Sequence, residues 1–210
     1  MNSELKEYIA ECAICRQYEI RRQYEIRQQR EPLMSHKLTE RPWEKVGTDI
    51  FTYDGDDFLV TVDYFSNYWE VDKLQDTKAT MTVRKLKAQF ARHGIPNVVV
   101  SDNGPQFSSE KFNQFADVWG FEHRTSSPGH PQGNGKAESA VKTAKKLRRK
   151  AKTAGKDPYL AMLAHRNTPT EGTESSPVQR LMGRRTKTLL PTTKNLLRPH
   201  GTDITRKLRI

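Results

Sequence analysis

A chain of 210 residues with 36 Lys and Arg against 25 Asp and Glu, net charge +11, is long enough for one domain with a substantial core and too short for two large ones. The positive excess favours a polyanionic partner such as nucleic acid, with a basic solubilising surface as the alternative. Cys12 and Cys15 are the only cysteines, which excludes a disulfide framework, and no run approaches 18 apolar residues, so a soluble intracellular protein with no membrane partner is expected.

Residues 1–42 read as a leader. Within them "QYEIRR" is followed at once by "QYEIRQ" (17–28), a tandem copy too short for a solenoid and best read as a duplicated linker. From Trp43 the pattern is that of a packed domain. The stretches 43–53, 57–65 and 68–74 are rich in Val, Tyr, Phe and Trp and are separated by "DGDD" and "SN", which predicts three successive antiparallel strands. Residues 77–93 switch to helical spacing, with Ala79, Val83, Leu86 and Phe90 on one side, Thr77 as cap and Gly94 as stop.

The apolar stretch 97–102 predicts a fourth strand covered on both faces. Residues 108–120 follow as a helix with Ser108 or Ser109 as cap, and 121–126 as a fifth strand. "SPGHPQGNG" (127–135) excludes regular structure. A long helix is predicted for 134–153, another for 157–167 with Asp157 as cap and Pro158 at its first position, and a short one within 175–183. The tail from 184 is basic and interrupted by proline, so an extended or mobile segment is expected. The domain therefore runs from 43 to 183, with 184–210 as a basic tail. Three strands followed by alternating helices and strands make a mixed α/β sheet with helices on its faces.

Three acids stand in unusual places. Asp49 interrupts a strand, Asp102 ends "VVVSD" just before Asn103 and Gly104, and Glu138 lies near the start of the long helix. Taken singly, each fits a structural role: Asp102 either caps a turn or faces a positive group, and Glu138 suits the helix dipole. Taken together, two carboxylates at neighbouring strand ends and a helix glutamate form an oxygen-rich pocket suited to Mg²⁺ or Mn²⁺, because like charges at close range need a cation. Along the same helix, Glu138, Lys142, Lys145 and Arg149 share one line, while Ala137, Ala140, Val141, Ala144, Leu147 and Ala151 form the buried arc. A phosphate backbone laid along that line would bring a phosphodiester to Glu138. The plainer reading is a solvated face in which Glu138 and Lys142 are an ordinary pair.

The stretches "ERPWEKVGTDIF", "VDYFSNYWEV", "HGIPNVVVSDNGPQFSSEKFNQFADVWGFEHRTSSPGHPQGNGKAES", "AHRNTP" and "SPVQRLMGRR" resemble the catalytic core of the integrases carried by retroviruses and, more closely, by Gypsy/Ty3-type LTR retrotransposons. The likeness covers roughly residues 12–192, and its most specific element is Asp49, Asp102 and Glu138 with 35 residues between the last two. The resemblance implies a ribonuclease H-like fold, a five-stranded mixed sheet of order 3-2-1-4-5 flanked by helices. It implies that the triad is catalytic and holds two Mg²⁺ (or Mn²⁺) ions, and that the chemistry is metal-dependent polynucleotidyl transfer. Water first trims the 3′ end of the element's DNA, and the new 3′-OH then attacks target DNA. It implies phosphate binding by Lys142 and Lys145, with Arg149 on the same line. Gln132 and Asn134 would shape DNA near the scissile bond, or simply form the loop. A homodimer or higher multimer acting on element ends and target DNA is implied, and by function a nuclear location.

The chain departs from the family at its start. Cys12 and Cys15 reproduce half of a zinc module, but no His precedes them, so no zinc site is expected and 1–42 reads as a truncated remnant of that module. Two other functions remain open at this point: a domesticated or decayed core that only binds nucleic acid, and a nuclease of the same fold that cuts RNA.

Overall fold

A two-residue turn opens the sheet. Asp54 (φ 57°) and Gly55 (φ 80°) both take positive φ, the geometry that matches the twist of a tight hairpin, and they join β1 (Lys45–Tyr53) to β2 (Asp56–Asp63). The computed structural model describes residues 39–126, 134–170 and 172–199. β3 (Trp69–Leu74) pairs antiparallel with β2, whereas β4 (Val98–Ser101) and β5 (Glu122–Thr125) add in parallel on the other side of β1. The order is β3-β2-β1-β4-β5, as the resemblance implied.

Alternation along the strands divides the core between the two faces of the sheet. Val46, Leu59 and Val99 face one way, against Leu86 and Phe90 of α1 (Ala79–His93) and Phe112 and Phe115 of α2 (Glu110–Trp119). Phe51, Phe58, Val60 and Val62 face the other, against Ala137, Ala140 and Ala144 of α3 (Gly135–Thr153) and Met162 of α4 (Pro158–Asn167). Among the described residues no helix is long and apolar enough to cross a membrane.

Most caps are where the sequence puts them. Ser109 accepts from the Phe112 amide, Gly120 closes α2 in the left-handed region, and Asp157 accepts from the Tyr159 amide ahead of Pro158. α1 differs: it begins two residues after Thr77, its cap position is Lys78, and the Lys78 amide donates to Asp76 Oδ1 at 2.9 Å. The carboxylate of Asp76 takes the turn that the hydroxyl of Thr77 was expected to take.

The segment 184–199 is not the extended tail anticipated. After α5 (Pro177–Met182), the Asn167 carboxamide grips Thr186 at both ends, Nδ2 donating to Oγ1 at 2.8 Å and Oδ1 accepting from the amide at 3.0 Å. The Arg185 amide donates to Leu196 O at 2.8 Å, folding the chain back onto α6 (Lys194–Leu197). The leader 1–38, with Cys12, Cys15 and the duplicated hexapeptide, lies outside the described residues.

One buried acid and one half-buried acid hold the sheet's rim. Asp63, at 0% exposure, accepts from the amides of Trp43 (3.0 Å), Phe65 (3.3 Å) and Ser66 (2.9 Å) and from the Ser66 hydroxyl. Glu70 of β3 meets His93 of α1 at 2.8 Å and Arg166 of α4 at 3.2 Å, with Arg92 at 3.7 Å. Burial pushes the Glu70 carboxyl up, but the His93 hydrogen bond and the two guanidinium groups outweigh it and hold it below its ordinary range.

Asp63→Ala strands four donors in a buried turn and is expected to cost about 3 kcal/mol or more in urea unfolding, while Asp63→Asn, which keeps an acceptor, costs less.

Candidate active site

Parallel pairing places the first two acids side by side. Gly47 of β1 pairs with Val100 of β4, so Asp49 and Asp102 each lie two residues beyond paired positions on adjacent strands running the same way. Period two sets Gly47, Asp49 and Phe51 on the α3 side of β1. Glu138 stands exposed in the first turn of α3, whose alanine face packs close on the sheet.

Asp49 is half-buried and its Oδ1 accepts from the Ile50 amide at 2.8 Å. Burial, then the Asp102 charge, then Glu138 raise its carboxyl to about 6, against the lowering pull of the Ile50 amide and Lys145. Asp102 is exposed; its Oδ1 accepts from the Gly104 amide at 3.2 Å, so it closes a turn and also faces Asp49. A Cβ at Gly104 would lie 2.5 Å from Gln106 Nε2, so a larger residue would push that side chain aside. Behind Asp102, the Ser101 hydroxyl donates to the Asp102 carbonyl at 2.7 Å and lies 2.9 Å from His123 Nε2. His123, for which the sequence offered no role, thus braces the strand end that carries Asp102.

The cations divide into those facing solvent and those drawn into the fold. Lys142, Lys145 and Arg149 are exposed on one line of α3, as the helical spacing predicts. Lys145 Nζ also lies 5.7 Å from the Phe51 ring centroid and acts on Asp49, so it belongs to the acid cluster as well as to the basic face. Lys152 is bound to Asp54 at 2.6 Å, and Arg148 stacks over Phe58 at 3.9 Å. Lys136 reaches inward, donating to Tyr64 O at 2.7 Å and Asn67 Oδ1 at 2.6 Å. Asn134 is buried, its Nδ2 donating to Thr48 O at 3.1 Å, an inward placement that its loop position did not foretell. Gln132 lies outside the described residues.

Among the described residues no three His, Cys, Asp or Glu side chains stand close enough to share one metal ion. Each aspartate gives an oxygen to a neighbouring amide instead, and the Ile50 amide and Lys145 only partly offset what raises Asp49. Carboxylate oxygens are the donors a hard divalent cation prefers, and the raised Asp49 carboxyl, pushed up by burial and then by Asp102 and Glu138, would be relieved by one.

Residues 39–131 match the integrase core domain family. An uncharacterized protein of Caenorhabditis elegans is 29% identical over 219 residues, taking in 100% of this chain and 17% of that protein. The Gag-Pol polyprotein of baboon endogenous virus is 29% identical over 177 residues, 79% of this chain and 10% of its own length. The Tf2-3 transposon polyprotein of Schizosaccharomyces pombe is 28% identical over 158 residues, 71% of this chain and 11% of its own. The chain thus spans well under a fifth of these relatives. Among solved structures, the integrase catalytic core of HTLV-2 in complex with magnesium aligns over 68% of this chain and 98% of its own, at 18% identity and TM-score 0.57. The intasome of simian T-cell lymphotropic virus aligns over 73% of this chain and 59% of that one, at 20% identity and TM-score 0.61. At such identities the likeness establishes the shared fold.

In the metal-free protein, Asp102→Asn removes a like charge and is expected to lower the Asp49 carboxyl from about 6, while Lys145→Ala raises it further. Carboxyl-carbon NMR titration of Asp49 reads both shifts, and their opposite signs test whether the cluster converges.

Proposed function

We propose that this chain is an integrase core related to those of retroviruses and Gypsy/Ty3-like retrotransposons, and that it carries out metal-dependent polynucleotidyl transfer, processing element 3′ ends and joining them to target DNA. The observation that carries this reading is the placement of the acids: Asp49 and Asp102 lie two residues beyond a paired position on adjacent parallel strands, and the Asp49 carboxyl is raised first by burial, then by Asp102, and also by Glu138 from α3.

Asp49, Asp102 and Glu138 would hold two Mg²⁺ or Mn²⁺ ions. When bound, these ions supply the Lewis acidity that activates an attacking water or 3′-OH and stabilises the leaving oxygen. The side chains of this chain then have three tasks. The aspartates fix one edge of the pocket on adjacent strands, and Glu138 fixes the other from α3. Lys142 and Arg149 bind phosphates flanking the scissile one, and Lys145, nearest the acids, meets the phosphate that enters among them. No side-chain nucleophile is needed. The DNA of the element and of the target are the proposed partners, engaged by a dimer or higher multimer, and the core is assigned to 43–183.

A strand-transfer assay with element-like oligonucleotides and Mn²⁺ tests this. Asp102→Asn and Glu138→Gln are each expected to lower joining by about 100-fold or more while DNA binding persists. Wild-type protein that binds DNA with strong salt dependence yet joins nothing under any divalent cation would instead identify a binding protein without catalysis.

In the same DNA-binding measurement, Lys142→Ala and Arg149→Ala should each reduce the slope of log affinity against log salt by about 0.9, one phosphate contact apiece, without changing sequence preference.

A further inference from the structure

Asn134 occupies the cap position of α3, yet its side chain makes no capping bond to that helix. An asparagine there ordinarily turns its oxygen onto the second or third amide of the helix it begins. Here the carboxamide is 3% exposed, its Nδ2 donates 3.1 Å to the Thr48 carbonyl of β1, and its Oδ1 is buried with no hydrogen-bond partner. Giving up the cap and leaving a buried acceptor bare both destabilise the chain end of a helix. The arrangement persists because the surroundings are shaped for it: a Cβ on Gly47 would come within 3.2 Å of both Asn134 Oδ1 and Tyr64 Cε2, and 3.5 Å of the Ala137 Cβ.

The two ends of this bond are neighbours of the acids. Thr48 directly precedes Asp49 and is the first residue of β1 beyond its recorded pairing with β4. Asn134 lies one helical turn before Glu138. We propose that Asn134 is a positioning residue: its carboxamide pins the first turn of α3 to the β1 backbone and thereby sets how far Glu138 stands from Asp49, with Gly47 left bare to admit it. This rests on the triad reading above. It gives Asn134 an inward task in place of direct contact with DNA, and it makes Gly47 part of the same device. The carbonyl of Thr48 is a fixed point, since the Thr48 hydroxyl is itself bonded to Val60 O at 3.0 Å across the sheet.

Calorimetric titration of Mn²⁺ into the 210-residue chain, without DNA, tests the proposal on wild type, Asn134→Ala, Gly47→Ala and Ala140→Gly, each checked for folding by circular dichroism and thermal unfolding. Ala140→Gly weakens the same helix without touching Asn134, so it reports what loss of helix stability alone does to metal affinity. Asn134→Ala is expected to weaken Mn²⁺ binding about 10-fold or more, as loss of a ligand-orienting partner does elsewhere. Gly47→Ala should weaken it less, and Ala140→Gly should leave it within about twofold at a comparable fall in Tm. Wild-type affinity in folded Asn134→Ala overturns the proposal and leaves the triad standing. Failure of wild type to bind Mn²⁺ overturns the triad reading and this one with it. Should Asn134→Ala not fold, Gly47→Ala decides: unchanged affinity there overturns the proposal.

Discussion

The parallel pairing of β1 with β4 is the constraint on which the site depends. Two strands running side by side in the same direction end at the same edge, so residues two steps beyond Gly47 and Val100 meet there whatever else the chain does. An antiparallel β4 would have sent Asp102 to the opposite edge. Parallel neighbours require a crossover, and here the crossover runs through β2, β3 and α1, with the Glu70 cluster joining β3 to α1 and α4. Through β1, whatever holds that crossover in place also holds Asp49 beside Asp102.

The site is assembled against its own electrostatics. The folded Asp49 carboxyl at about 6 lies above its ordinary 3.8, so the folded state binds the proton more readily than the unfolded chain between those values. The sign follows from linkage: stability contributed by this group rises as pH falls from about 6 toward 3.8, and at neutral pH the ionised carboxylate opposes folding. Elsewhere in the domain the acids are arranged the other way. Asp63 is surrounded by donors, and Glu70 is held low by His93 and two guanidinium groups. A domain that satisfies its structural carboxylates so fully and leaves Asp49 facing two more has kept a local cost, and function is the usual reason for one.

How much of this was legible in the sequence depends on the range of the interaction. Strands, helices and most caps follow from local period and capping chemistry, and Ser109, Asp157 and Gly120 sit as read. The acids were found because their spacing is a family pattern and because an Asp inside a strand is conspicuous. What escaped the reading is contact across the chain. Nothing local distinguishes Lys136, which turns inward to Tyr64 O, from Lys142, which stays in solvent. Nothing in "LVTVDYF" marks Asp63 as the acceptor of a turn closed by Trp43, twenty residues earlier. The grip of Asn167 on Thr186 likewise folds in a segment whose composition alone reads as tail. Each of these is a side chain meeting a distant backbone, a pairing that propensity and period cannot carry.

The alanines of α3 connect packing to chemistry. A helix facing a sheet with Leu or Phe would stand off by the length of those side chains, whereas Ala137, Ala140 and Ala144 let the axis approach β1 and β2. Close approach has two consequences on the polar side of the helix. It brings Glu138 within the field of Asp49, and it brings Lys145 over Phe51, so that a cation stands at the edge of the acid cluster. The same small residues leave room at Gly47 for the Asn134 carboxamide, which must cross from the helix to the strand backbone. A basic helix set farther out would still attract DNA through Lys142 and Arg149, since Coulomb attraction to a phosphate chain is long-ranged. It could not bring a glutamate to the aspartates, because coordination acts over a few ångströms. The small residues on the buried face of α3 therefore set how near its glutamate stands to the aspartates.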